Sequence, residues 1–486
     1  MADIILLIAY LLPLTIIFVY CLMQLSLIFT HFKYKENSEV SLSKNLKTLP
    51  NVTIQLPVYN EQYVVERLID SVTKLNYPKS LLEIQILDDS NDITTQLIEK
   101  KVIEYTNAGF DIKLIRRPNR IGFKAGALQF GLNKLKGEFI AIFDADFIPS
   151  PDFLLKSIPA FENPKVGVVQ TRWGHINEDY SLLTKLQAFG LDAHFFIEQP
   201  GRSAAGHFIN FNGTGGIWRK ETIIDAGGWS PDTLTEDLDL SYRAQLKGWK
   251  FIYKRGLESP AELPVSLPAV KSQQYRWMKG GAECFVKNAK KLIRAEDMSL
   301  GSKLHGFYHL LNSSIFLSVT ALAFFSIPLV FNTDIFSKYH KIVNLTTLFQ
   351  VNWLILGSFY WLAFKRKGGT FFLFVRRFFM FLVFMMGLSL HNTIAVIEGF
   401  IGRKTPFVRT PKFNVVEKSD SWKGNIYSIK KISPLTWIEA TISLLFMGML
   451  FIDFQKQLYG MLPFHFMVFL GYTLVVYYTF KHAFSA

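Results

Sequence analysis

The sequence predicts a doubly wound α/β domain carried by membrane helices, on three observations. Short β-rich runs alternate with helical stretches from residue 51 to about 264. Acidic and polar residues stand at the carboxyl ends of those runs, where open α/β sheets bind ligands. Long apolar runs flank the region on both sides.

Taken in order, 4–29 is almost free of charge and long enough to cross a bilayer, since about 20 helical residues span about 30 Å of hydrocarbon. It lacks a basic leading region and an A-x-A cleavage site, so it reads as a retained anchor. Residues 52–57 predict a strand, 61–75 a helix, 83–87 a strand, 93–108 a helix and 112–115 a strand. A helix over 125–135 and strands over 139–143 and 166–170 continue the alternation, which implies a largely parallel sheet. Spans over 307–331, 343–364, 434–454 and 461–480 bring the crossings to five.

The segment 370–402 is rich in Phe, Leu and Met yet carries Arg376, Arg377, His391 and Glu398. Ionisable groups are costly at bilayer depth, so a helix lying in the interface is expected in preference to a sixth span. Basic residues cluster after the first span (His31, Lys33, Lys35) and after the third (Lys365, Arg366, Lys367). A larger set, Arg403, Lys404, Arg409, Lys412, Lys418, Lys423, Lys430 and Lys431, precedes the fourth. An even number of crossings separates the three sets, which puts them and the α/β domain on the cytoplasmic side. One extra span would send the most basic loop outside.

Half of the 486 residues are hydrophobic and 19% are charged, against about a quarter charged in an ordinary soluble chain. This composition excludes disorder and agrees with membrane embedding. The net charge of +14 falls at span ends, so no nucleic acid partner is expected. Cys21 sits in an apolar run and Cys284 outside any Cys/His cluster, which argues against a disulfide framework or a zinc site. No G-x-G-x-x-G or G-x-x-x-x-G-K-[ST] follows a strand, so a nicotinamide dehydrogenase and a P-loop ATPase lose their main support.

Asp144 and Asp146 set two carboxylates at the end of an apolar strand, an arrangement able to hold a hard divalent cation against a diphosphate. Alone, Asp-x-Asp is as readily a turn or a cap; Asp88 and Asp89 at an equivalent strand end favour binding. Lys124, in Gly122-Phe123-Lys124-Ala125-Gly126, can reach a phosphate from a turn that opens a helix, or can simply be solvated there. Thr235-Glu236-Asp237, read alone, is an N-cap with an acidic first turn. Gln273-Gln274-Tyr275-Arg276-Trp277 precedes the membrane, where an interfacial belt explains Arg276 and Trp277 but not the paired glutamines. His305 and His309 have i,i+4 spacing without an acidic third ligand and read as packing residues.

Asp88-Asp89-Ser90, Asp144-Ala145-Asp146, Thr235-Glu236-Asp237 and Gln273-Gln274-Tyr275-Arg276-Trp277, in that order, resemble the processive family 2 membrane glycosyltransferases. These include the cellulose, chitin and hyaluronan synthases, and the likeness is strongest to the plant cellulose-synthase-like A and C families, which make mannan, glucomannan and glucan backbones. It extends through Gly122-Phe123-Lys124-Ala125-Gly126-Ala127-Leu128, Ile142-Phe143-Asp144-Ala145-Asp146-Phe147, Val169-Gln170-Thr171-Arg172-Trp173 and Phe211-Asn212-Gly213-Thr214, nearly the whole α/β region. It is specific to the family and not to the sugar.

The resemblance implies an α/β GT-A type (Rossmann-like) cytosolic glycosyltransferase domain inserted into an α-helical membrane domain. The expected division is an anchor over 1–31, the glycosyltransferase domain over 32–264, a Gln-Arg-Trp segment with interfacial helices over 265–306 and two spans over 307–369. An interfacial helix over 370–402, a cytosolic gating loop over 403–433 and two spans over 434–486 complete it. Donor binding falls to Pro57, Tyr59, Glu61, Asp88, Asp89, Lys124, Asp144, Asp146, Gln273 and Arg276. Of these, Asp88 and Asp89 would contact the nucleoside, and Asp144 and Asp146 would hold the diphosphate and its metal, Mg2+ or Mn2+. Asp237, beside Glu236, would be the general base; Asn212, Gly213, Thr214 and Trp277 would meet the acceptor. Phe407-Val408-Arg409-Thr410-Pro411-Lys412 resembles the gating loop Phe-x-Val-Thr-x-Lys, which closes over bound nucleotide through Phe407, Thr410 and Lys412; Arg409 replaces the usual valine.

A base at the acceptor hydroxyl and a metal neutralising the leaving diphosphate permit one in-line displacement, inverting an α-linked donor to a β-glycoside. The implied enzyme is a hexosyltransferase using UDP-glucose or GDP-mannose to extend a β-linked, 1,4-joined glucan or mannan and pass it through the spans. Trp353, Tyr360 and Trp361 there can stack on sugar rings or merely pack. A nonprocessive enzyme that glycosylates a membrane lipid once is the alternative; the complete acidic and Gln-Arg-Trp set argues against a nucleotide-sensing transporter. Expected partners are the nucleotide-sugar donor, a growing polysaccharide or glycolipid acceptor and the lipid bilayer. The expected location is multi-pass in a membrane with the catalytic domain cytoplasmic, the plasma membrane or a bacterial inner membrane.

Overall fold

The computed structural model describes residues 1–34 and 49–485, so Lys35 of the first basic set and Ala486 lie outside the described residues. Among the described residues seven strands form one sheet: β1 Val52–Val58, β2 Leu82–Asp88, β3 Asp111–Arg116, β4 Phe139–Ile142, β5 Val166–His175, β6 Gly216–Arg219 and β7 Lys250–Ala261. Their order is β3-β2-β1-β4-β6-β5-β7. β1 pairs parallel with β2 and β4, and β2 with β3, as the alternation predicts. β6 runs antiparallel between β4 and β5, so the sheet is mixed. Neither β6 nor β7 was legible, because β6 has four residues and follows a glycine-rich turn, and β7 has no clean alternation of burial.

The central strands are buried on both faces, which is why they read as continuous apolar runs. On one face Val65, Leu68, Ile69 and Val72 of helix Val65–Val72 pack with Ile98 of Thr94–Asn107 against Ile54, Leu56, Ile84 and Ile86. On the other, Ala125, Leu128 and Leu132 of Phe123–Leu132 pack with Leu240 and Ala244 of Glu236–Leu246 against Leu87, Ile140 and Ile142. Coverage of both faces makes the sheet doubly wound. The chain reverses sides between β1 and β4, so a ligand crevice belongs at the carboxyl ends of those two strands.

Among the described residues five helices are long and apolar enough to cross a membrane: Ala2–His31, Asn312–Phe331, His340–Arg366, Pro434–Gln455 and Leu462–Phe484. Phe307, assigned from sequence to the second span, belongs to the preceding helix Leu300–Leu310, separated by a turn at Asn312–Ser314. The segment 370–402 is two helices, Phe371–Gly387 and Ser389–Phe400, bent by 52° at Leu388; counted as one broken span they would make a sixth. Phe371–Gly387 meets the last helix where Gly387 faces Gly471; a Cβ on Gly387 would lie 2.2 Å from the Gly471 carbonyl oxygen. Three of the four ionisable groups named in 370–402 find partners in or next to the catalytic domain. Arg377 donates to Glu178 at 3.1 Å, His391 Nε2 lies 2.9 Å from the Lys271 carbonyl, and Glu398 accepts from Tyr275 and Arg403.

The helix Leu267–Arg294 joins the two halves of the molecule. Lys271 Nζ lies 2.8 and 2.6 Å from the two oxygens of buried Glu439 in the fourth span. Lys279 Nζ, fully buried, donates to the Arg403 carbonyl and, at 2.7 Å, to Thr405 Oγ1, which fixes the root of the loop 403–433. His305 and His309 serve packing: His305 stacks on His207 at 4.1 Å and meets Ser26 at 2.9 Å, and His309 Nδ1 meets the Tyr242 hydroxyl at 2.8 Å.

Candidate active site

A cleft opens at the carboxyl ends of β1 and β4, roofed by the start of the loop 403–433. Pro57 and Tyr59 come from the end of β1, Asp89 follows β2, and Asp144 and Asp146 follow β4. Gly122 at φ 73° and Phe123 at φ 48° turn the chain into the helix Phe123–Leu132, and this turn delivers Lys124 to the cleft. Lys124 Nζ lies 2.6 Å from Asp144 Oδ1, 2.9 Å from the Gly213 carbonyl and 3.9 Å from Glu236 Oε1. Glu236 and Asp237 begin the helix Glu236–Leu246, and Gly213, at φ 79°, has no side chain where a Cβ would lie 2.9 Å from Asp237 Oδ2. Gln273, Arg276 and Trp277 enter from the helix Leu267–Arg294.

Of the residues expected to form the site, all line the cleft except Asp88 and Thr214. Asp88 does not line the cleft: it is buried, accepts from the Ser90 N–H at 2.9 Å and the Thr95 hydroxyl at 2.7 Å, and lies 3.6 Å from Arg116. Successive strand residues face opposite ways, so one of two adjacent aspartates at a strand end turns inward. Thr214 stands one layer behind, its hydroxyl accepting from the Asp144 N–H at 2.9 Å, and so braces a carboxylate it does not accompany.

The loop reaches the floor of the cleft. Lys412 Nζ lies 2.6 Å from Asp146 Oδ2, and Arg409 Nη1 lies 2.6 Å from Glu61 Oε2. Thr410 accepts from Arg276 at 2.7 Å, while the Phe407 ring stacks on Phe123 at 5.7 Å and carries the Arg276 guanidinium at 4.6 Å. Arg409, in place of the usual valine, therefore adds a charge-paired contact. Sequence reasoning missed Arg117, Arg120, Trp173, His175 and Glu262. The available signals were three arginines, 116, 117 and 120, at and just after the end of β3, and the place of Trp173 in Val169-Gln170-Thr171-Arg172-Trp173; His175 and Glu262 carry no local pattern.

Burial and like charge set the electrostatics. Burial, reinforced by Glu236, pushes the Asp237 carboxyl up to about 7. Burial also raises Glu61 to about 7 against the opposing pull of Arg409, and raises Glu236 and Glu262. Burial opposes the Lys124 charge, but Asp144, Glu236 and Asp237 outweigh it and hold the ammonium above its ordinary range. Asp146 Oδ1 is buried without a hydrogen-bond partner, an uncompensated hard oxygen of the kind a divalent cation takes. Among the described residues no three His, Cys, Asp or Glu side chains gather to hold a metal unaided. Asp144 and Asp146 thus fit a cation that draws its other ligands from a bound diphosphate.

A second cavity, of about 1070 Å³, continues from the cleft into the helical bundle, and Leu191, Gln273 and Trp277 line both. It runs from there to Tyr10, Leu329 and Tyr459 at the far ends of the spans. Trp353 and Tyr360 line it; Trp361 does not, and packs instead on Phe371 and Phe374.

A doubly wound mixed sheet with this cleft defines a GT-A type glycosyltransferase domain, joined here to helices long and apolar enough to span a membrane. Residues 50–280 match the family described as "Glycosyltransferase like family 2". Glucomannan 4-beta-mannosyltransferase 2 of Arabidopsis thaliana is 36% identical over 410 residues, 82% of this chain and 74% of the relative. Glucomannan 4-beta-mannosyltransferase 1 of Cyamopsis tetragonoloba is 41% identical over 281 residues, 57% of this chain and 53% of its own. The chain thus spans about half the length of the second relative. A mannosyltransferase from Pyrobaculum calidifontis, solved in complex with GDP-Man and Mn2+, shares the fold at a TM-score of 0.53 and 18% identity, over 76% of this chain and 98% of that one. The chain belongs to glycosyltransferase family 2.

Proposed function

We propose that the protein is a membrane β-hexan synthase that transfers mannose from GDP-mannose to the end of a β-linked mannan or glucomannan and passes the chain into the bundle. The observation that carries this reading is the shared wall: Gln273, Trp277 and Leu191 border both the catalytic cleft and the long cavity, so a product end has one continuous path away from the reaction. The relatives are named for mannosyl transfer, which favours mannose over glucose.

In this reading Asp237, with a carboxyl raised to about 7, takes the proton of the acceptor hydroxyl at Oδ2, and Gly213 leaves room for the acceptor beside it. Lys124 and Arg276 orient the diphosphate, and Lys412 and Arg409 of the loop hold the cleft closed against water. Asp144 and Asp146 would hold Mg2+ or Mn2+, which neutralises charge on the diphosphate when bound. Lys412 bears on Asp146 Oδ2 and leaves Oδ1 for the cation, so loop position and cation occupancy are linked through one carboxylate. We read 370–402 as interfacial, supported by the pairing of Arg377, His391 and Glu398 with the catalytic side of the molecule, and the catalytic domain as cytoplasmic, supported by the basic residues at the span ends.

The test is product analysis with purified protein given GDP-mannose and UDP-glucose in parallel, with and without chelator. A long β-1,4-linked mannan from GDP-mannose, abolished by chelation and restored by Mn2+ or Mg2+, is expected. A single-sugar glycolipid as the sole product would overturn the synthase reading.

A further inference from the structure

Arg120 lines the catalytic cleft but has no part in the reaction described above. Its guanidinium lies over the Tyr59 ring, 3.3 Å from the centroid, and 5.0 Å from the Phe123 ring. Among the described residues its side chain has no hydrogen bond or ion pair, and its Nε is buried without a partner. A guanidinium held by two rings, with its N–H fork unspent, is organised in advance for acceptor atoms on a ligand.

Its neighbours say which part of the ligand. Arg120 rests on Tyr59 and Phe123 with the Arg117–Asp89 pair among its nearest charges, whereas Arg276 is held by Phe407 and Thr410 and faces Glu236, Asp144 and Asp237. Arg120 therefore stands at the Asp89 end of the cleft, apart from the Lys124–Asp144 end that suits a diphosphate. Asp89 is itself fixed: Arg117 Nε and Nη2 donate to its two oxygens at 2.7 and 2.5 Å, and Arg117 is in turn tied to the Ile121 and Phe123 carbonyls. One small region thus combines a rigid carboxylate, an unpaired donor fork and an aromatic platform.

Guanine has the complementary pattern. Its O6 and N7 are two acceptors spaced for a guanidinium fork, and its N1–H and exocyclic N2–H are two donors spaced for a carboxylate. Uracil has one N–H between two carbonyls and cannot satisfy the carboxylate in that way. Resting on the reading that this cleft binds a nucleotide sugar, we propose that Arg120 is a specificity-determining residue which, with Asp89, reads the guanine base and so selects a guanosine-diphosphate donor.

Affinities of the purified full-length protein for GDP, IDP and UDP in the presence of Mn2+ test this by calorimetry. The wild type should bind GDP more tightly than UDP, and IDP, which lacks the exocyclic amine, more weakly than GDP. Arg120→Met keeps the stem on Tyr59 and should weaken GDP by about 10-fold or more, the cost of one bidentate base contact, with UDP unchanged. Arg120→Lys keeps the charge without the fork and should behave like Arg120→Met; it also serves if the Met variant fails to fold. Equal losses for GDP and UDP, or full recovery in Arg120→Lys, would assign Arg120 to the diphosphate and overturn the proposal. A wild type that prefers UDP would overturn the guanosine donor itself, and the Arg120 role with it; a GDP preference that survives both substitutions would remove Arg120 alone.

Discussion

Asp237 is held near the threshold of ionisation by burial and by the adjacent Glu236, and this sets a pH dependence. Only the carboxylate can accept a proton, so kcat/KM should rise through a midpoint near the raised value of about 7. Glu236→Gln removes the like charge, lowers the Asp237 value and should move that limb to lower pH; a limb that stays in place would sever the two residues. Asp237→Asn should lower kcat by about 10²-fold or more while leaving GDP affinity intact, and a matching loss of affinity would make Asp237 a donor ligand. At this scale the site was largely legible, because acidic residues at the ends of apolar runs are visible in the chain. What could not be read was direction. Asp88 and Asp89 look equivalent until the strand turns one inward, and nothing in the chain announces that Arg120 lies over Tyr59, 61 positions earlier.

The helices of the membrane part were legible as lengths of apolar sequence but not as partners. Gly387 gives no hint in the sequence that it faces Gly471, nor does Leu388 announce a bend of 52° without proline or glycine at the corner itself. The contact has a measurable consequence. Gly387→Val must drive the two helices apart against a carbonyl 2.2 Å from the new Cβ, so it should destabilise the protein by about 1–3 kcal/mol, read as a lower thermal midpoint in detergent. Gly448, whose added Cβ would meet nothing within 4 Å, provides the control: Gly448→Ala should leave the midpoint unchanged or raise it. β6 teaches the same lesson in the sheet. Four residues have no periodicity to read, and only the pairing with β4 and β5 makes them a strand.

For the whole molecule, the distribution of basic residues predicts an orientation that a labelling experiment can check. In a background lacking Cys21 and Cys284, cysteines at Lys404 and Ser421 should resist a membrane-impermeant thiol reagent in intact cells and react after permeabilisation. Labelling of both sites in intact cells would reverse the orientation, carrying the loop and the cleft it covers to the outer side. The helix Leu267–Arg294 carries a further consequence. Its 28 residues make a rod of about 42 Å that is clamped to the fourth span by Lys271, to the loop root by Lys279, and presents Gln273, Arg276 and Trp277 between those points. A rod has no slack. In the proposed reading, a sugar that presses on Trp277 bears on the same rod that holds the loop root and the fourth span, so nucleotide exchange and chain advance would share one mechanical part.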